Sequence, residues 1–363
     1  MTTNKTRQIP VMKPLLPTSS SLLPYLKLID ESRIYSNRGP LHNLLCDRFA
    51  LLLKVERSLI TTASNATVAI EGFIRIMSEV SEVWNVPVFT FPATAHAVTN
   101  SNRTLKFHDI NTNLRMETQN LPISSNVIDV LPFGEAIDSV RYSKFDTGSR
   151  LIIDAAASFD AITRSTPPKF NFPYVIVVSL HPTKVPGGAE GALIYSNQFG
   201  LIDEFNKYQN FGFDSNRAVQ TFGTNIKMSE YAAAVALASL DSWENQKFQW
   251  QENIVKAIST SDKLGLQPIS SLLNGYISPY WNVIVSSARE AIKLSDVLNL
   301  NGVETRRWWN FGLHNEPYFE PWCQDAIFAN ADQLSRKIIG LPLFLDITDE
   351  DFSYIEKILA NSK

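Results

Sequence analysis

The feature that most constrains the fold is a nearly unbroken apolar run, Tyr174 to Leu180, which leads directly into a turn rich in proline and glycine. A run without polar alternate positions is typical of a strand buried on both faces of a parallel sheet. A second apolar run, residues 192–195, follows the turn. The pattern therefore predicts that Lys184, which the turn carries, lies at the mouth of an α/β sheet, beside glycines that let a ligand approach the backbone.

A second predicted strand, Leu151 to Ala157, carries an acidic residue, Asp154. A carboxylate in an apolar strand needs a cationic partner, because desolvating a lone charge costs several kcal/mol. Asp154 precedes Lys184 by 30 residues, about one β-α-β step. Both residues should then lie at the carboxyl ends of neighbouring strands, where open α/β sheets bind ligands.

A small polar turn, residues 63–67, opens a predicted helix that begins near Val68. Free backbone N–H groups and the helix dipole make such a turn a potential phosphate site. The signal is weak by itself, since serine, threonine and asparagine cap many helices that bind nothing.

Size and composition limit the class of protein. A chain of 363 residues, 44% hydrophobic and 19% charged, predicts one large and one small globular domain, which we place at 1–240 and 241–363. A net charge of −3 without a basic cluster argues against nucleic acid as a partner. There is neither an apolar stretch of membrane-spanning length nor, in the polar residues 1–8, a signal-peptide core. The two cysteines suggest neither a disulfide framework nor a metal site, so we expect a cytoplasmic protein without a metal.

The last third of the chain alternates between helical and strand patterns. Helices are predicted at 229–243 and 245–260, and strands at 278–285 and 303–308. This alternation favours a small α/β domain after the large one.

Several blocks together resemble the DegT/DnrJ/EryC1/StrS family of nucleotide-sugar aminotransferases. The run Ser179-Leu180-His181-Pro182-Thr183-Lys184 is similar to its Ser-Phe-His-x-x-Lys block. Three further segments match in the family's order: the turn at 37–40 (Asn-x-Gly-Pro), residues 91–95 (aromatic-x-Ala-Thr-Ala) and residues 223–230 around Asn225. The resemblance implies an α/β fold, that of an aminotransferase of fold type I dependent on pyridoxal phosphate (PLP). Such a fold has a mostly parallel seven-stranded sheet between helices and a smaller C-terminal α/β domain.

The resemblance also implies roles for individual residues. Lys184 would be the catalytic residue that carries PLP covalently. The residues implied to bind the cofactor are Ala66, Thr67, Phe91, Asp154, Ala157, Ser179 and Asn225. Those implied to contact substrate are His181, Asn37, His314 and Tyr318. In these roles Asp154 pairs with the cofactor's ring nitrogen, the ring of Phe91 stacks on the pyridine, and Asn225 reaches the phosphate of a partner subunit.

Two positions depart from the family pattern. Ala66 replaces a usual glycine, so its backbone must avoid positive φ. Ala157 replaces a histidine or glutamine, so it offers no hydrogen bond beside the cofactor's ring hydroxyl.

By resemblance, the reaction moves the amino group of L-glutamate to C4 of a nucleotide-linked 4-keto-6-deoxyhexose. The product would be of the dTDP-4-amino-4,6-dideoxyglucose type, a class of deoxyamino sugar that supplies O-antigen polysaccharides, and the enzyme a homodimer with active sites at the subunit interface. The N-terminal pattern, from Lys13-Pro14 to the turn at 37–40, favours this branch over a 3-keto sugar aminotransferase.

The sequence is also compatible with three other functional hypotheses. A dehydratase of the same family would carry histidine in place of Lys184, which argues against it. An enzyme of the same fold could act on a free amino acid. A non-catalytic PLP-fold binding protein gains some weight from Ala66 and Ala157.

Overall fold

The computed structural model describes residues 7–324 and 326–361, so all but Arg7 and Gln8 of the polar stretch 1–8 lies outside it. The strands in chain order are β1 (Ile60–Ala63), β2 (Val83–Pro87), β3 (Thr104–His108), β4 (Asn126–Val130), β5 (Arg150–Asp154), β6 (Tyr174–Ser179), β7 (Ala192–Ser196), β8 (Gln267–Pro268), β9 (Trp281–Ile284) and β10 (Ile338–Leu341). The helices are α1 (Ser19–Ser32), α2 (Pro40–Leu53), α3 (Ala66–Met77), α4 (Pro92–Asn100), α5 (Phe159–Thr163), α6 (Phe199–Tyr208), α7 (Glu230–Lys263), α8 (Ser270–Leu273), α9 (Ala288–Leu300), α10 (Ala329–Ser335) and α11 (Asp349–Ala360).

The large sheet has seven strands in the order β1-β7-β6-β5-β4-β2-β3. Only β7 is reversed within it: β7 is antiparallel to both of its neighbours, and the other pairs are parallel. A second sheet, β10-β9-β8, is antiparallel and has three strands. The predicted fold class is therefore confirmed.

Two hydrophobic cores lie on opposite faces of the large sheet. Alternate residues of β5 enter different cores: Leu151 and Ile153 pack into one, and Ile152 into the other. Strands β4, β6 and β7 are buried along their whole length, and β5 is buried except at Arg150, because helices cover both faces. This explains the nearly continuous apolar runs in the sequence.

The C-terminal third differs from the sequence prediction in two respects. The helices predicted at 229–243 and 245–260 are one helix, α7, because neither glycine nor proline interrupts the chain between them. The strand predicted at 303–308 is wrong: Val303 and Arg306 each form only an isolated bridge, to Ile9 and Gly340. The indole of Trp308 donates instead to Asn282 Oδ1, at 2.8 Å, on the small sheet.

The proposed domain boundary at 240/241 falls inside α7, which packs against α1 and α2 and also contacts β8 and β9 of the small sheet. The division into two domains stays a prediction.

Among the described residues, none of the helices combines the length and hydropathy that a membrane span needs. The same part of the chain contains no cluster of side chains that could hold a metal ion.

Candidate active site

The two residues that organise the predicted site end neighbouring parallel strands. Asp154 is the last residue of β5 and pairs in register with Val177, two residues before Ser179 ends β6. Lys184 follows Ser179 by five residues, on the turn that leads to β7. Sequence reasoning placed Asp154 and Lys184 at adjoining strand ends, and the structure confirms this arrangement.

The carboxylate of Asp154 is buried, with 7% of the residue exposed. It accepts hydrogen bonds from Thr94 Oγ1 at 2.8 Å and from the Ala156 N–H at 3.2 Å. Burial raises the pKa of Asp154, an effect that these two bonds and the charge of Lys184 only partly offset. Asp154 makes no ion pair with any residue that the structure describes, so the carboxylate can accept a cationic ligand.

The turn that carries Lys184 is tight and depends on glycine. The Lys184 N–H donates to the His181 carbonyl at 2.8 Å, and the Gly188 N–H donates to the Leu180 carbonyl at 2.8 Å. A Cβ at Gly187 would lie 2.8 Å from the Pro182 carbonyl oxygen, closer than real Cβ atoms approach. The side chain of Lys184 extends from this turn to Tyr280, and its Nζ lies 2.9 Å from the tyrosine Oη.

The predicted phosphate turn forms the N-terminus of α3. The Asn65 side chain caps the helix by accepting from the Val68 N–H at 3.0 Å. Ala66 is the first helical residue, which confirms that it avoids positive φ. The backbone N–H groups at the start of α3, including those of Ala66 and Thr67, can therefore bind an anion.

Asn225 and Ser179 also have defined surroundings. The Ser64 N–H donates to the Ile226 carbonyl at 2.7 Å, which brings the segment containing Asn225 next to the N-terminus of α3. Asn225 Oδ1 accepts from Lys227 Nζ at 2.8 Å. Ser179 is buried, and its Oγ accepts from the His181 N–H at 3.2 Å.

Phe91 and Asp154 are linked through α4. Phe91 precedes the first residue of this helix and is 61% exposed, so its ring is available for stacking. Thr94, one turn along, supplies the hydrogen bond to Asp154. Sequence reasoning missed this role of Thr94, although the Ala-Thr-Ala block contained it, because the contact joins residues 60 positions apart.

The four residues predicted to contact substrate lie in different surroundings. His181 is half-exposed on the lysine turn, with its Nδ1 2.8 Å from Thr183 Oγ1. Tyr318 is exposed and packs its ring 4.9 Å from that of His96 on α4. Asn37 lines a separate polar pocket near the start of α2.

His314 is held by structural contacts. Its Nε2 lies 3.1 Å from Asp332 Oδ1 and 3.0 Å from Asn315 Nδ2, and only 11% of its side chain is exposed. Contacts of any of these four residues with substrate stay predictions.

At the edge where β1, β5 and β6 end, the large sheet thus presents an amine, a helix N-terminus suited to phosphate, and a buried carboxylate that forms no ion pair with a described residue. PLP needs these three contacts for its aldehyde, its phosphate and its protonated ring nitrogen, so the residues fit the cofactor. Ala157 presents only a methyl group at the turn after β5, as the sequence indicated.

Comparison with known proteins identifies the same chemistry. The sequence profile of the DegT/DnrJ/EryC1/StrS aminotransferase family matches residues 19–360. The chain is 23% identical to a dTDP-4-amino-4,6-dideoxy-D-glucose transaminase of Shigella dysenteriae, over 97% of this chain and 98% of that protein. It is 24% identical to the Escherichia coli transaminase of the same name, again over 97% and 98%. The crystal structure of DesI in the presence of its TDP-sugar product superposes with a TM-score of 0.83 and 25% identity, over 97% of this chain and 92% of that one.

Proposed function

This chain belongs to the DegT/DnrJ/EryC1/StrS aminotransferase family and is a PLP-dependent sugar aminotransferase, and from that premise we propose its substrates. The amino group of L-glutamate is transferred to C4 of a nucleotide-linked 4-keto-6-deoxyhexose, giving a product of the dTDP-4-amino-4,6-dideoxyglucose type. The alternative within the same chemistry is a 3-keto nucleotide sugar as acceptor. Lys184 argues against the dehydratase alternative, and membership of an aminotransferase family argues against a non-catalytic protein.

The observation that carries the proposal is the placement of Lys184 and Asp154 at adjoining strand ends. When bound, PLP supplies an electron sink and a temporary carrier for the amino group. Asp154 would hold a proton on the ring nitrogen, since its buried carboxylate forms no ion pair with a described residue. The Nζ of Lys184 would hold the cofactor, and the same amine, when free, would carry the proton of the glutamate α-carbon.

The N-terminal segment supports a sugar nucleotide as acceptor. Residues 12–15 line one cavity together with Lys184, Trp250 and Phe344. This segment contains Lys13, part of the pattern that favours the 4-amino branch. The same branch is named for the Shigella and Escherichia coli relatives, which match along nearly their whole length.

The substrate proposal is tested in two half-reactions. The PLP form is first mixed with L-glutamate, and the loss of cofactor absorbance and the formation of 2-oxoglutarate are measured. The aminated enzyme is then offered dTDP- and UDP-linked 4-keto and 3-keto sugars, and products are identified by mass spectrometry and NMR. We expect the 4-keto sugars to react fastest. Exclusive reaction with 3-keto sugars, or no reaction with glutamate, would contradict the proposal.

We also propose a homodimer in which Asn225 of one subunit contacts the cofactor phosphate of the other. Mixing Lys184→Ala and Asn225→Ala subunits tests this, because a hybrid dimer then contains one intact site. Two variants that are each inactive should recover up to about a quarter of wild-type activity when refolded together. Without recovery, Asn225 would act within its own subunit.

We propose the remaining cofactor contacts from the same arrangement of residues around Lys184 and Asp154. The α3 N-terminus with Ala66 and Thr67, together with Ser179, holds the phosphate, and Phe91 stacks on the pyridine ring. Cofactor affinity measured for Thr67→Ala and Ser179→Ala tests the first contact, and Phe91→Ala tests the second.

A further inference from the structure

Lys184 has a polar partner that comes from the other sheet of the molecule. Tyr280 directly precedes β9 of the small sheet and lies 96 positions after Lys184 in the chain. Its Oη is 2.9 Å from Lys184 Nζ, and the same Nζ lies 5.6 Å from the centroid of the tyrosine ring. Only 7% of Tyr280 is exposed. The contact therefore joins a buried tyrosine to a half-buried lysine.

Packing holds the Tyr280 ring from two sides. The rings of Phe133 and Trp308 lie 5.5 Å and 5.4 Å from it, both edge-on. Phe133 belongs to the turn after β4, where it adopts a left-handed conformation with φ of 56°. The ring is thus placed by aromatic contacts from the turn after β4 and from Trp308, so the position of the hydroxyl does not depend on the lysine.

The turn that carries Tyr280 is also pressed against the large sheet. A Cβ at Gly134, whose φ is 100°, would lie 2.5 Å from Ser278 Cβ and 3.5 Å from the Ala157 carbonyl oxygen. Gly134, Ser278 and Ala157 are therefore close neighbours. Ala157 has no polar side-chain atom, so the turn after β5 cannot hydrogen-bond the lysine amine through a side chain at this position.

We propose that Tyr280 is a positioning residue that holds the Lys184 amine in the cleft whenever the amine is not bonded to the cofactor. The hydroxyl accepts from an ammonium or donates to a neutral amine, so the contact persists in both protonation states. It acts on the steps that need a free amine, namely proton transfer and renewed bonding to PLP. The inference rests on the proposed role of Lys184.

Tyr280→Phe tests the proposal, because it removes the hydroxyl and keeps the ring that packs on Phe133 and Trp308. The first measurement needs no sugar: apoprotein is mixed with PLP, the bond is fixed by borohydride at timed intervals, and labelling of Lys184 is quantified by mass spectrometry. Loss of one hydrogen bond to a charged group predicts labelling about 10- to 100-fold slower. In steady state, kcat should fall by a similar factor while KM for the sugar changes little.

Two controls separate positioning from a structural role. Tyr142→Phe removes another buried hydroxyl, one that donates to Asp129 at 2.6 Å, and should lower stability without slowing the labelling of Lys184. In a Lys184→Ala background, Tyr280→Phe should leave non-covalent PLP affinity unchanged.

Each result of these measurements either supports or contradicts a positioning role for Tyr280. Labelling at the wild-type rate would overturn the proposal, and so would a loss of PLP affinity that persists without Lys184, since Tyr280 would then contact the cofactor itself. If the sugar substrate were misassigned, the labelling result would still stand, so the two failures are distinguishable.

Discussion

Asp154→Asn gives the sharpest test of the site, because the structure predicts opposite effects on the empty protein and on its cofactor complex. The side chain is 7% exposed and accepts two hydrogen bonds on different oxygens, Oδ2 from Thr94 Oγ1 and Oδ1 from the Ala156 N–H. An asparagine keeps the Ala156 bond through its Oδ1, and its Nδ2 can donate to Thr94 Oγ1, whose hydroxyl then donates to Thr90 Oγ1 at 3.0 Å. The substitution therefore keeps the shape of the site, removes its charge and reverses one hydrogen bond.

The sign of the effect on stability follows from the raised pKa. Burial raises the pKa of Asp154 above 3.8, so the folded state binds this proton more tightly than the unfolded state does. Stability without cofactor then falls as pH rises from 3.8 through the folded pKa, because burial disfavours the ionised carboxylate. We expect Asp154→Asn to unfold at the same temperature as wild type, or a higher one, when PLP is absent.

With cofactor bound, the same change removes one partner of the proposed buried ion pair, a loss of about 3–5 kcal/mol. At about 1.4 kcal/mol per factor of ten, the glutamate half-reaction should slow by roughly 10²- to 4 × 10³-fold. Stopped-flow absorbance measures that rate, and thermal unfolding with and without PLP measures the stabilisation. A variant that is destabilised without PLP yet reacts at the wild-type rate would show that Asp154 is structural.

Asp129 provides a matched control on the adjoining strand, β4. It is fully buried and accepts from Arg115 at 2.6 Å and from Tyr142 at 2.6 Å. Burial by itself would raise the pKa of Asp129, but the charges of Arg115 and Arg141 have the larger combined effect, so the pKa is lowered. Its stabilisation is present above the unfolded pKa and lost as pH falls through the folded pKa. Asp129→Asn should cost about 3–5 kcal/mol of stability, with half-reaction rates of the folded protein preserved.

Three further predictions concern the lysine and the region around α2. Lys184→Ala should abolish transamination while the protein still folds and binds PLP non-covalently; measurable turnover would exclude Lys184 as the reacting amine. Burial lowers the pKa of His42 from 6.5 to about 4, so the protein should lose up to about 3 kcal/mol of stability between pH 6.5 and 4. Urea unfolding of His42→Gln across that range should show a shallower pH dependence. The fully buried Glu230 accepts from the Leu41 N–H at 2.7 Å and from the His42 N–H at 3.0 Å. Glu230→Ala should therefore lower the free energy of unfolding by about 2–4 kcal/mol, measured by urea unfolding. A loss below about 1 kcal/mol, roughly that of a single exposed helix cap, would contradict this.

The sequence by itself determined the central part of the site. Apolar runs around Asp154 and before Lys184 marked two buried parallel strands, and their spacing allowed one crossover between them. Because the carboxyl ends of parallel neighbours meet at one sheet edge, the two side chains had to converge. The anion-binding character of the α3 N-terminus could also be predicted from the sequence, because it comes from local backbone geometry.

Only the tertiary structure decided which side chains support that pair. Thr94 reaches Asp154 across 60 residues, and Tyr280 reaches Lys184 across 96. Neither contact leaves a periodic or local signal, because each depends on how separate elements pack together and not on the residues beside it in the chain. The same reason explains the strand wrongly predicted at 303–308: Val303 pairs with Ile9 and Arg306 with Gly340 of β10, but in the described structure neither pairing continues to a second residue. Local chemistry and spacing therefore placed Lys184 and Asp154, whereas long-range packing set the hydroxyls that contact them.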